Sequence, residues 1–306
     1  MVGELPAQCL AAQRLPPGKR SMILALQAPA AGGLGRRVAQ RLLGAAREQA
    51  CQLETSELWV RAEPNLASAL KREGACELFH ESCHSWWRIH LGDGPVHLSS
   101  ERLLLRQWMA GDRAAFLSLN QDPQVNRFLP GPLNAAQNDA LVLRLQRQLK
   151  LLGFGYWAVQ RPAEPARAES FIGMVGLAPL AIAEVSQRLP GPALEMAWRL
   201  APHVWNQGLA TEGARRVADY AMRELGVSEL VAFTVSHNHA SAAVMSKLGF
   251  VRDREGDFEH PKLPRDHPLC LHQLFRLSRQ RWLKQLAVES VDWPPLSDPL
   301  PPSRRP

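Results

Sequence analysis

Residues 193–250 read ALEMAWRLAPHVWNQGLATEGARRVADYAMRELGVSELVAFTVSHNHASAAVMSKLGF, and the fold is decided here. Leu194 to Leu200 is a strand, apolar except for Glu195 and Arg199. Trp205-Asn206-Gln207-Gly208 makes a turn, with glycine where a backbone must approach a ligand without a Cβ in the way. A helix starts near Leu209 and carries Val217, Tyr220, Ala221 and Leu225 as an apolar stripe at helical spacing. Leu230 to Val235 is rich in β-branched and apolar residues, as a buried strand requires. Asn238 heads a second helix that closes on Gly249-Phe250.

A strand-to-helix turn of this kind is a phosphate site. The first helical N–H groups have no partner inside the helix, and the helix dipole adds a favourable field. The turn itself carries no positive side chain.

With Asn238-His-Ala-Ser241 and Lys247-Leu-Gly-Phe250 following at matching distances, the chain resembles the GNAT acyltransferase superfamily. Within it, the ribosomal-protein N-terminal acetyltransferase-like branch fits best. The resemblance spans about residues 101–278 and includes Glu101-Arg-Leu-Leu-Leu-Arg106, Trp205-Asn-Gln-Gly-Leu-Ala-Thr-Glu212, Phe258-Glu-His-Pro261 and Leu274-Phe-Arg-Leu277. It departs from the branch at Asn206, where glycine is usual, so the turn is expected to be stiffer or to approach the pyrophosphate differently. It departs from many members at Met245, where a tyrosine would protonate the leaving thiolate.

The resemblance implies acetyl-CoA as co-substrate and transfer of its acetyl group to a primary amine, foremost a protein N-terminal α-amine. A small-molecule amine and a non-catalytic acyl-CoA-binding scaffold remain as alternatives. It implies that pantetheine amides pair with the backbone of Leu194 to Leu200, Trp198 and Leu200 among them. Trp205, Asn206, Gln207, Gly208, Leu209, Ala210 and Thr211 would hold the pyrophosphate, and Asn238 would face the pantetheine while capping its helix. Glu195 is the candidate base, acting through water, against the plain alternative of pairing with Arg199. Ser241 is the remaining hydroxyl for the thiolate, and His237 and His239 flank Asn238 as further base candidates.

The chain has 306 residues, 46% apolar and 21% charged, room for one large or two modest globular domains. A net charge of +7 suggests an acidic partner, but the arginines are spread singly along the chain and leave no nucleic-acid footprint. Five cysteines, an odd number, fit a reducing cytoplasm better than a disulfide framework. Neither a signal peptide nor a membrane span is expected. Cys76, His80, Cys83, His84 and His90, like His267, Cys270 and His272, lack standard zinc spacing and are read as structural, so no metal is expected.

The first hundred residues repeat the order of elements in 193–277: strands at 21–27 and 57–60, the turn Gly32-Gly-Leu-Gly35, helices, and two short strands near 76–80 and 86–91. Ala30 sits at the Trp205 position and Glu63 at the Asn238 position, so the match is poor at the chemistry, with anion binding by the glycine-rich turn left as the alternative. Residues 1–92 are therefore expected to be a degenerate, partial GNAT-like half-domain that packs on the second domain or on a second subunit in a homodimer. Residues 93–100 are expected as a linker, 101–286 as a complete GNAT domain, and 287–306 as a disordered Pro-rich tail. The expected fold is α/β: a mixed, mostly antiparallel sheet flanked by helices, with Ile182 to Ala193 as a loop.

Overall fold

The computed structural model describes residues 21–26, 57–62, 70, 75–81, 84–90, 96–161, 171–191 and 193–289. Four strands come first: β1 (Ser21–Leu26), β2 (Glu57–Ala62), β3 (Cys76–Glu81) and β4 (His84–His90), in the spatial order β1-β2-β4-β3. β1 and β2 are parallel and in register from Ser21 opposite Glu57 to Leu26 opposite Ala62. β4 then pairs antiparallel with both β2 and β3. The turn at Gly32–Gly35, with Ala30, Glu63 and Cys83, lies outside the described residues.

The second sheet holds β5 (Leu98–Ser99), β6 (Leu104–Arg106), β7 (Tyr156–Gln160), β8 (Phe171–Pro179), β9 (Leu194–Leu200), β10 (Glu229–Val235), β11 (Val251–Glu259) and β12 (Leu271–Ser278). Its order is β11-β12-β10-β9-β8-β7-β6-β5. Only β9 and β10 run parallel; the other neighbours are antiparallel. The sheet is thus mixed and mostly antiparallel, as expected.

Helices cover both faces. On one lie α1 (Asp112–Gln121), the short α2 (Pro123–Asn126) and α3 (Ala135–Leu152). Asn134 and Gln137 form a reciprocal cap at the start of α3, and Gly153 ends it in the left-handed region at φ 69°. The other face carries α5 (Leu209–Asp219), which follows α4 (Ala183–Arg188) in the chain and runs into a π-turn over Tyr220–Glu224. α6 (His239–Lys247) and α7 (Arg279–Glu289) complete the set. Gly213 lets α5 sit close: a Cβ there would meet Leu103 at 3.3 Å and Val175 at 3.4 Å.

Three local expectations change. Leu98–Ser99, expected in a linker, add β5 to the sheet because Val96 is tied down on both sides. Its N–H donates to Gly153 O, and its carbonyl accepts from Trp157 Nε1 at 2.7 Å. Part of the 182–193 segment, expected as a loop, is the helix α4; Val185 buries, and Arg188 pairs with Glu184 one turn back. α7 continues to Glu289, past the expected start of the tail. The two sheets share a core, since Trp59 and Cys76 belong to the same buried cluster as Val142, Leu145 and Trp157. Arg88 on β4 donates to the carbonyl of Leu152 at 2.6 Å, which satisfies one of the open acceptors at the end of α3.

Candidate active site

β9 and β10 pair only at Leu194–Leu230 and Glu195–Val231. Beyond that point they diverge, although β9 continues to Leu200 and β10 to Val235. The backbone that faces the gap follows from the other edge of β9. Ala201 N–H donates to Ile172 O at 2.9 Å, and the β8/β9 register makes odd-numbered residues of β9 the ones bonded to β8. Even-numbered residues therefore turn their N–H and C=O towards the gap. The carbonyl of Leu200 is already taken by Trp205 Nε1 at 2.7 Å, while Trp198 presents both backbone groups. A strand edge of this kind suits an extended ligand carrying amides.

The gap leads to the turn before α5. Asn206 is the one described non-glycine residue at positive φ, at 60°, and Gly208 follows at 78°. Asparagine tolerates the left-handed region better than most residues, so the replacement of glycine at 206 keeps the turn. Gly208 caps α5 without a side chain, and the first helical bond is Glu212 N to Gly208 O. The N–H groups of Leu209, Ala210 and Thr211 therefore have no helical partner and point outward. The turn has no positive side chain of its own, but the fold brings Arg102 to it. Its Nη1 donates to Gln207 O at 3.0 Å, and its Nε binds Glu212 Oε2 at 2.7 Å. Ser100 and the backbone of Arg102 bind the other oxygen of Glu212, so this first-turn carboxylate is covered beside the anion site.

Side chains on β9 alternate between faces. Trp198 lies opposite Val175, which packs towards α5, so Glu195, Ala197 and Arg199 face α1 and α3. Glu195 stands at the last paired position before the gap. Tyr156 Oη on β7 donates to Glu195 Oε1 at 3.3 Å. Burial pushes the Glu195 carboxyl above its ordinary range; the Tyr156 hydrogen bond and the charge of Lys262 offset part of this. The Tyr156 phenol is raised well above its ordinary value, first by burial and then by the Glu195 charge, so it stays protonated at neutral pH. Glu195 does not pair with Arg199, whose Nη1 donates instead to Asn120 Oδ1 on α1.

Across the gap stand Phe233, Phe258, His260 and His272. Phe233 lies 5.2 Å from Phe258 and 5.6 Å from His272, and the two histidines are 5.1 Å apart between ring centroids. Burial lowers both histidine pKa values, which favours neutral rings. Asn238 Oδ1 accepts from Ser241 N–H at 3.2 Å and caps α6. Met245 is 1% exposed and belongs to the core. His237 packs on Phe128, and both His237 and His239 are exposed. Among the described residues, no group of three or more potential metal ligands forms, and no helix is long and apolar enough to cross a membrane.

Tyr156, Asn120, Arg102 and the aromatic wall were not singled out by sequence. Strand alternation alone puts Glu195 and Arg199 on one face. Nothing in the spacing joins either to a tyrosine and an asparagine on separate elements.

Residues 102–251 match the acetyltransferase (GNAT) domain family. The chain is 30% identical over 136 residues to FsC-acetyl coenzyme A-N(2)-transacetylase of Aspergillus fumigatus, a match covering 44% of this chain and 55% of that protein. It is 24% identical to the uncharacterized N-acetyltransferase YoaA of Bacillus subtilis, covering 51% of this chain and 83% of that one. A GNAT-family acetyltransferase structure from Bacillus anthracis aligns with 60% of this chain and 99% of its own, at 20% identity and a TM-score of 0.48. The chain therefore carries, over residues 102–251, a GNAT acetyltransferase domain, an enzyme domain of the acyltransferase class.

Proposed function

We propose that the chain is an acetyl-CoA-dependent N-acetyltransferase acting on a primary amine in the gap between β9 and β10. The observation that carries this reading is the divergence of those strands immediately after Glu195. It leaves an open backbone edge, a partly buried carboxylate at its closed end and unpaired helical N–H groups at its open end. Acetyl-CoA supplies an activated acyl thioester. The N–H groups from Asn206 to Thr211 take its pyrophosphate, with no Cβ at Gly208 to intervene and Arg102 beside the turn. The backbone of Trp198 takes a pantetheine amide.

The attacking amine must lose a proton, and Glu195 accepts it through water. Burial brings its pKa closer to neutral, which makes it a better match for the task than an exposed glutamate. Tyr156 remains a donor throughout and fixes the carboxylate. Since Met245 has no proton to give, the Ser241 hydroxyl hydrogen-bonds the departing thiolate. Asn238 keeps its amide nitrogen for the pantetheine after its oxygen has capped α6.

We read the acceptor as a small amine-bearing molecule rather than the protein N-terminal α-amine expected from the sequence resemblance. The relative at 30% identity is named FsC-acetyl coenzyme A-N(2)-transacetylase, a name that specifies an N(2) position and no protein terminus, and this supports the choice. The first sheet we infer to be a partial copy of the β9-β10-β12-β11 unit, a reading supported by its matching strand order and directions. Calorimetry with acetyl-CoA, then thiol release across small amines and short peptides with free N-termini, tests the whole. Turnover with small amines is expected. Absence of acetyl-CoA binding would overturn the enzyme reading, and turnover confined to peptides would overturn the acceptor.

A further inference from the structure

Arg199 is a partly buried cation without an acidic partner among the described residues. It meets a neutral amide: Nη1 donates to Asn120 Oδ1. Asn120 is itself buried and held, since its Nδ2 donates to Asn138 Oδ1 on α3 at 2.9 Å. Asn138 in turn donates to the carbonyl of Arg113 at 3.1 Å. Two buried asparagines on two helices are thus spent on orienting one guanidinium. Neutral amides fix its direction without supplying countercharge, and burial lowers its pKa to about 10. A desolvated cation left in this condition costs free energy unless an anion arrives from outside.

The side chain's surroundings say where that anion would sit. Arg199 shares the α1/α3 face of β9 with Glu195, four positions earlier, a separation of about 13 Å along the strand. The Tyr156 phenol is bonded to Glu195, and its strand position is level with Ala197, between the two. The pyrophosphate turn is served by other groups, α5 N–H and Arg102. Gly173 lets β8 pack closely against the Arg199 backbone, because a Cβ there would lie 2.1 Å from the Arg199 carbonyl.

We propose that Arg199 is an anion subsite for the acceptor, so that the amine acetylated at Glu195 belongs to a molecule carrying a carboxylate, such as an amino acid or an amino-acid conjugate. The proposal rests on the reading of Glu195 as base. It names a second recognition point on the same face. A planar guanidinium held in one direction takes a carboxylate through two parallel hydrogen bonds, and a carboxamide cannot replace that charge.

The test pairs amino acids with their carboxamides as acceptors for the full chain, and N-acetylamino acids with their carboxamides as ligands of the CoA-saturated protein. The free acids are expected to show kcat/KM, and affinity as products, about tenfold or more above the carboxamides, the range of a charge-assisted hydrogen bond. In Arg199→Gln, which can still donate to Asn120, that preference should fall to near one through KM, while acetyl-CoA affinity holds and the melting temperature does not fall. Arg199→Lys should restore part of the preference. Equal use and equal binding of acids and carboxamides by the wild type would overturn the subsite. A loss of acetyl-CoA affinity in Arg199→Gln would overturn it too, by assigning the cation to the co-substrate. If the wild type fails to bind acetyl-CoA, the reading of the cleft falls first.

Discussion

The molecule contains two four-strand arrays of the same order and sense, β1-β2-β4-β3 and β9-β10-β12-β11, and they differ at one seam. In the first, the parallel pair β1/β2 is zipped over the whole of both strands, from Ser21–Glu57 to Leu26–Ala62. In the second, β9/β10 pair at two positions and then part. The zipped seam has every inward backbone group committed, so nothing extended can enter. The parted seam leaves those of Trp198 open, which is tolerable only if a ligand or water satisfies them. On the function proposed above, the same strand order serves without activity in the first array, because the proposed site lies in the hydrogen bonds that β9 and β10 do not make.

The largest expected effect is on chemistry at the parted seam. Glu195→Gln should lower turnover by about 10² to 10⁴ at neutral pH, the usual range for a lost general base. The deficit should shrink as pH rises, since more of the amine then arrives deprotonated. In the wild type, the acid limb of kcat/KM should lie above the ordinary carboxylate range, in the direction of the Glu195 shift. A Gln variant with normal turnover and an unchanged pH profile removes Glu195 from the mechanism.

The zipped seam should answer only to stability. Trp59 on β2 is fully buried in the shared core, so Trp59→Ala should destabilise by about 3–5 kcal/mol in chemical denaturation. Acetyl-CoA affinity of the folded variant should stay within about twofold of the wild type, a difference well under 1 kcal/mol. A large affinity loss at temperatures where the variant is folded would mean that the first array shapes the cleft.

Gly208→Val sharpens the contrast from the other side. It places a branched side chain at φ 78° and against the phosphate turn, and should weaken acetyl-CoA binding about tenfold or more. Titration calorimetry reads this directly, and unchanged affinity would move the pyrophosphate elsewhere.

The smallest effect is a stability gain in Glu195→Gln. A buried carboxyl with a raised pKa contributes stability below its unfolded pKa, near the ordinary 4.5, and loses it as pH rises through the folded value. The wild type carries that cost at neutral pH and the Gln variant does not. The variant should melt higher at pH 7, and the gain should vanish below about pH 4. A variant no more stable at pH 7 would show that Glu195 is not desolvated.

Local pattern made much of this legible in the sequence. Leu194–Leu200 and the start of a helix at Leu209 follow from apolar alternation and a glycine turn, and both stand where the pattern puts them. The strand order and the parallel sense of β1/β2 were open to the eye only as a repeated sequence of elements. The pairing lengths, on which the proposed function turns, were not, because register depends on what the whole sheet allows. α4 was hidden by Pro190-Gly191-Pro192, whose turn character masked a helix that ends just before them. Arg102, Tyr156 and Asn120 stand 39 or more positions from Gln207, Glu195 and Arg199, the site residues they touch. Sequence spacing carries no signal for such contacts; only the closed sheet brings them together. Asn206 shows the reverse, a departure from the family pattern that the left-handed turn absorbs.

The central claim is that the parted seam is the acetyl-CoA site and the zipped one is not. Titration calorimetry of acetyl-CoA into the full chain tests this most directly, run in parallel on the wild type and on Gly208→Val. The account predicts a single site per chain, weakened about tenfold or more by the substitution. Two sites per chain, or one site indifferent to Gly208, would contradict it.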